Sequence, residues 1–217
     1  MSTEEELPVF PTTAPEVFAD PEATAALFHQ VLDRLAAVVD VDDAQLARPT
    51  PCAGFDVAGL QRHVLGWLRF FAAALNDPTA AGPRPDPDSF VLEGASASDV
   101  VRRAEADIAR AVADDVAGQL VVMSQARMAG DGVLAMALGE YIIHAWDLAT
   151  ATGRSYSAPD AAVGAAHEFL DGMVTADYRG PDSGFFDAEI PVAADAAALD
   201  RLLGFAGRDP GWMSPAG

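Results

Sequence analysis

The sequence predicts an all-α fold, an antiparallel four-helix bundle with extra helices at its C-terminal end. Three observations carry that expectation. Four long stretches place apolar residues at helical spacing. No segment alternates convincingly between apolar and polar residues, apart from a short candidate strand at Glu189 to Val192. Half of the 217 residues are hydrophobic, enough to fill one sizeable core.

Each element follows from local residues. Asp20 offers an N-cap and Pro21 takes the first helical position. The stripe Leu27, Phe28, Val31, Leu32, Leu35, Val38 and Val39 then forms the inner face of the first helix. A loop with Pro49, Pro51 and Gly54 leads to Asp56, the cap of a second helix. That helix lies within Phe55 to Leu75, with Val57, Leu60, Val64, Trp67, Leu68, Phe71 and Leu75 in line. The stretch 76–94, which holds Pro78, Pro83, Pro85 and Pro87, is the longest loop and a candidate rim or lid.

The third helix, about Ser98 to Ala113, buries a thin face of Val100, Val101, Ala104, Ile108, Ala111 and Val112. The fourth, Asp131 to Gly153, ends on a glycine suited to the C′ position. A shorter helix starts near Pro159 with Val163, Leu170, Met173 and Val174 inside. The last runs from about Asp195 to Ala206 with Leu199, Leu202, Leu203 and Phe205. Residues 1–19 hold three consecutive glutamates and no helical period, which suggests an irregular arm ahead of a single domain over 20–217.

Composition excludes several roles. The net charge is −20, from 33 acids against 13 bases, and every base is arginine. Nucleic acid needs a basic footprint, so it is not an expected partner, and an anionic membrane surface would repel the chain. The acidic surface favours solubility. Cys52 is the single cysteine, so no internal disulfide forms, and a cytoplasmic location fits. The N-terminus carries acids where a signal peptide needs bases, and no apolar run approaches the roughly 20 residues of a membrane span.

The fourth helix carries the chemistry. At roughly 100° per residue, His144 falls about 40° to one side of Glu140 and Asp147 about 20° to the other. Val133, Met136, Ala137 and Ala151 share that face, so it points inward, where an unpaired carboxylate is costly. On the second helix His63 lies at the edge of the buried stripe and can reach a neighbour. Two imidazoles and one carboxylate are a usual Zn²⁺ ligand set, and three protein ligands leave a fourth position open, the mark of a catalytic site. The plain alternative is a surface ion pair between Glu140 and His144 at i, i+4. The apolar flanks YII and AWDLA argue against exposure.

Other residues carry weaker signals. Asp147 can accept a hydrogen bond from the far nitrogen of a ligating histidine, or serve as a cap or core hydrogen bond. Cys52 sits in a turn without an activating base nearby and reads as structural. His29 and His167 lack ligand-spaced partners. Trp67, Met136 and Trp146 read as packing, although the first two flank the proposed site. Arg127 and Arg154 bracket the metal helix, where they could meet an anionic substrate.

Three segments come in a familiar order: PTPCAGFDVAGLQRH from Pro49 to His63, GEYIIHAWDLATATG from Gly139 to Gly153, and LDRLLGFAGRDPGW from Leu199 to Trp212. Together they resemble the actinobacterial metal-binding proteins related to mycothiol-dependent maleylpyruvate isomerase, which share the DinB-like fold. The resemblance covers nearly the whole chain. It implies a DinB-like bundle whose metal, Zn²⁺ or another divalent ion such as Ni²⁺, is held by His63, Glu140 and His144. It also implies that a low-molecular-weight thiol, mycothiol, binds the open position and attacks a small electrophile, giving S-transfer or isomerisation. A metal-binding bundle without chemistry and a metal-dependent hydrolase with Asp147 as base are the alternatives. The isomerase proper carries a larger C-terminal domain, which leaves the maleylpyruvate substrate open, a general thiol transferase or a different isomerisation fitting equally well. The sequence leaves the oligomeric state open, a homodimer included.

Overall fold

The computed structural model describes residues 7–180 and 185–214. Six α-helices form among the described residues: α1 (Pro21–Val39), α2 (Val57–Asn76), α3 (Ala97–Ala113), α4 (Gly130–Thr152), α5 (Asp160–Met173) and α6 (Ala198–Phe205). Local chemistry sets their ends. The Asp20 carboxylate accepts from the amides of Glu22 and Ala23, and Asp56 accepts from Gly59 at 2.7 Å. Ser96 and Asp99 form a capping box at α3. Gly153 closes α4 with φ +74°, a conformation that a Cβ would strain.

Packing arranges the long helices in a ring: α1 touches α3 and α4, and α2 touches α3 and α4. Their directions follow from the side-chain links. The amide of Ser98, at the start of α3, donates to Asp40 just past the end of α1, so these two run antiparallel. Asn76, the last residue of α2, donates to the Asp107 carbonyl near the end of α3, so α2 and α3 run parallel. Arg154, just past α4, donates to the carbonyls of Ala37 and Val38 at the end of α1, making that pair parallel too. The expectation of a simple antiparallel bundle is corrected accordingly. Two of the four packed pairs are parallel, and the consecutive pair α2 and α3 needs the long connection over 77–96 to return the chain.

The all-α expectation also needs correction. A two-stranded antiparallel hairpin, β1 (Leu120–Met123) and β2 (Ala126–Ala129), joins α3 to α4. Val121 is buried while Leu120 is exposed, the alternation of a half-covered strand. The segment before α1 is tied to this hairpin. The Phe10 amide donates to the Arg127 carbonyl at 2.7 Å, and the Arg127 amide to Pro8 at 2.8 Å. A short 3₁₀ turn at Glu16–Ala19 leads into α1, so the described part of the expected arm is ordered against β2. Residues 1–6, with the glutamate run, lie outside the described residues. Glu189 to Val192 is not a strand. It runs extended past α6, where the Ile190 amide donates to the Gly204 carbonyl.

Helix α4 is buried on almost every side. Its Tyr141 ring lies between Phe28 of α1 and Phe71 of α2, at 6.5 and 6.4 Å, while α5 covers its remaining side. A helix apolar all round is stable only in such a central position. The proline-rich loop packs back on α2 at Gly66, where any Cβ would collide with the Pro87 carbonyl. That contact holds Pro87 and Asp88 beside the site described next.

Candidate functional site

The middle of α4 and the first half of α2 bring His63, Glu140 and His144 together. Glu140 Oε1 stands 3.1 Å from His63 Nε2 and 3.3 Å from His144 Nε2. The two imidazoles meet edge to face, with centroids 5.3 Å apart. One ligand-capable atom from each residue lies within 4.8 Å of the other two. Exposure is graded across the cluster: His63 and Glu140 keep 25% and 26% of their side chains exposed, and His144 keeps 8%. The cluster therefore sits at the boundary between core and solvent.

Asp147, one turn beyond His144, is fully buried, and its Oδ2 accepts from His144 Nδ1 at 2.9 Å. That bond leaves Nε2 facing Glu140 and His63. The charges reinforce one another. Burial alone would raise the Glu140 carboxyl, but the charges and hydrogen bonds of His144 and His63 prevail and hold it well below the usual carboxylate range. Burial would likewise lower His144, yet the Glu140 charge and the Asp147 hydrogen bond push it up to about 9.

A cleft of about 400 Å³ opens onto His63, lined by Gly54, Phe55, Asp56, Gly59, Arg62, Pro87 and Asp88. Part of the proline-rich loop thus forms a rim of the cleft. Phe55 packs on the His63 ring at 5.0 Å with the planes tilted by 45°, and Trp67 flanks it at 6.3 Å.

The remaining sequence candidates fall elsewhere. Arg154 caps the C-terminal end of α1, and Arg127 donates from Nε to the Leu7 carbonyl, so neither lines this cleft. Arg62 is the arginine on its wall. His29 is exposed and pairs with Glu105 of α3 at 2.6 Å, and His167 packs on Phe205. Trp146 is buried, while Met136 is half-buried. Cys52 is buried, and burial pushes its thiol up to about 12 despite the opposing charge of Arg208.

Arg208 is a residue of this region that no local sequence signal marks. It follows α6, is 6% exposed, and donates from Nη2 to Cys52 Sγ at 2.9 Å, with Asp147 Oδ2 at 3.4 Å. Cys52, His144 and Asp147 form a second group with ligand-capable atoms within 4.8 Å of one another, but the guanidinium already supplies a cation there. The segment GFAGRDPGW was conspicuous in the sequence. Its partner Asp147 lies 61 positions upstream, too far for any local spacing rule to reveal.

Residues 25–149 match the family described as the mycothiol maleylpyruvate isomerase N-terminal domain. The chain belongs to that family. Cys52, His63, Glu140, His144 and Asp147 all lie inside the matched mycothiol maleylpyruvate isomerase N-terminal domain, and Arg208 lies beyond it. Two uncharacterised proteins of Mycobacterium tuberculosis, from strains CDC 1551 / Oshkosh and ATCC 25618 / H37Rv, are each 29% identical over 178 residues. The match covers 80% of this chain and 90% of theirs. Among solved structures, the mycothiol-dependent maleylpyruvate isomerase is similar at 16% identity and a TM-score of 0.47, covering 68% of this chain and 69% of that one. A mutant of the same isomerase matches at 17% identity and a TM-score of 0.44, covering 70% and 69%.

Proposed function

We propose that this chain is a metal-dependent enzyme that uses a low-molecular-weight thiol, mycothiol, as nucleophile toward a small electrophilic substrate, in S-transfer or thiol-dependent isomerisation. The observation that carries this reading is the convergence of both Nε2 atoms on Glu140 Oε1 at 3.1 and 3.3 Å, beside an open cleft, in a member of a family named for mycothiol chemistry.

His63, Glu140 and His144 fit a divalent ion, Zn²⁺ or Ni²⁺, by donor chemistry: two imidazole nitrogens and a carboxylate held ionised by its neighbours. When bound, such an ion supplies a Lewis acid that favours the thiolate form of a thiol. The chain's own residues do the rest. Asp147 holds the Nδ1 proton of His144 and keeps its Nε2 turned toward Glu140. Phe55 and Trp67 flank the His63 ring and fix its orientation, and Arg62 offers a cation on the cleft wall to an anionic group of the thiol or substrate. No helix among the described residues is long and apolar enough to cross a membrane. A cytoplasmic setting, where small thiols stay reduced, belongs to the same reading.

The proposal extends to organisation. Residues 20–217 are read as one DinB-like helical domain, supported by the packing of α5 on α4 and α6 on α5, with 1–19 as its arm. The test is to incubate metal-loaded protein with mycothiol and a panel of electrophiles and follow products by mass spectrometry, while calorimetry follows thiol binding. Conjugates or isomerised products that depend on both metal and thiol are expected. Equal thiol binding with and without metal, or no turnover of any electrophile, would overturn the reading.

A further inference from the structure

Arg208 is a buried cation with three partners. Its Nη2 donates to Cys52 Sγ at 2.9 Å and stands 3.4 Å from Asp147 Oδ2, and its Nη1 donates to the Ala206 carbonyl at 3.0 Å. Asp147 belongs to α4, the helix that bears His144. Cys52 belongs to the turn that feeds α2, the helix that bears His63. A single guanidinium from the C-terminal segment therefore touches the support of both histidines. Stability alone is a poor reason for it, because apolar residues of similar volume commonly replace a buried ion pair without loss.

The arrangement has a second consequence. Without Arg208, Cys52 Sγ, the Nδ1 face of His144 and Asp147 would form a competing ligand group, already within 4.8 Å. With Arg208 in place, a positive charge occupies that position, and a second cation is repelled.

We propose that Arg208 is a positioning residue for the metal site. It fixes Asp147, so that Asp147 fixes His144, and it keeps the ion on the His63–Glu140–His144 side by denying it Cys52. The inference rests on the metal reading above.

The test uses the full chain, purified metal-free and titrated with Zn²⁺ against a chromophoric chelator, then with Co²⁺ for its absorption spectrum. Wild type is expected to bind one ion per chain, with no sulfur-to-cobalt charge-transfer band. The Arg208→Met variant should bind Zn²⁺ about 10- to 100-fold more weakly at the original site. It should also gain the sulfur-to-cobalt band as the Cys52 thiol gives up its proton to solvent and ligates. Adding Cys52→Ser should abolish the band, and Arg208→Lys, which restores a cation, should suppress it. Should Arg208→Met not fold, Arg208→Gln, which removes the charge but can still donate a hydrogen bond to Asp147, carries the same sulfur-to-cobalt readout. A merely structural Arg208 would lower the melting temperature while leaving affinity and spectrum unchanged, and that result overturns the inference. Failure of the wild type to bind Zn²⁺ would overturn the metal reading itself; normal wild-type binding with unaltered variants overturns this inference alone.

Discussion

Loading a metal onto this site should expel a proton, and the structure sets how many. In the metal-free protein His144 is pushed up to about 9, because the Glu140 charge and the Asp147 hydrogen bond outweigh its burial. An imidazolium has no lone pair to offer, so the ion must displace its proton. At a pH of about 7.5 a group with that pKa is almost fully protonated, and binding should release about one proton per ion from His144. A histidine at its ordinary value would release only about a tenth of one. The apparent Zn²⁺ affinity should correspondingly rise about tenfold for each pH unit until His144 is deprotonated in the free protein. Calorimetric titration in two buffers of different ionisation enthalpy measures the released proton directly. His144→Ala, which removes the titrating group, should flatten the pH dependence along with weakening the site. An affinity independent of pH between about 7 and 8, with no buffer-dependent heat, would refute the charge assignment.

The same pair makes metal-free stability depend on pH, with signs that can be worked out. The His144 pKa is raised on folding, so its contribution is present below 6.5 and lost as pH rises through about 9. The Glu140 pKa is depressed, so its contribution is present above 4.5 and lost as pH falls. A melting temperature of the metal-free protein that stays flat from pH 6.5 to 9 would contradict this pairing. Glu140→Gln should weaken metal binding more than Asp147→Asn, for which a loss of about 10- to 100-fold is expected; competition with a chelator ranks the two, and the reverse order would move the binding point away from Glu140. Chelation should remove activity yet leave the far-ultraviolet helical dichroism largely intact, because the helices bury a core of their own. Cooperative unfolding by EDTA at room temperature would reassign the site to a structural role.

The features legible in the sequence were those written over a few residues. Asp20–Pro21, Asp56 and Gly153 mark helix ends through local hydrogen bonding and backbone preference, and each marks an end in the structure. Glu140, His144 and Asp147 share a face because helical spacing alone decides it, and His63 is poised at the edge of its own stripe. Other features depend on distant contacts. The β1–β2 hairpin has strands of four residues and turns at Ser124–Gln125, without the Asn-Gly or Gly signals that betray a tight hairpin. Helix direction could not be read either, because periodicity marks which face is buried and not which neighbour covers it. Arg208 stayed hidden for the same reason, and so did the displacement of Arg127 and Arg154 from the cleft.

The two parallel helix pairs also bear on how the molecule comes into being. A parallel contact between α1 and α4 cannot close until nearly all of the intervening chain exists, and His63 must wait 77 positions for Glu140. Arg208 arrives a further 61 positions beyond Asp147. Such non-local closure carries a large entropic toll and slows folding relative to an up-and-down bundle of equal length. During synthesis the early helices can form, but the histidines meet late and the guanidinium later still. The ligand triad can therefore close before Arg208 arrives, and the Cys52 pocket is finished only after the triad.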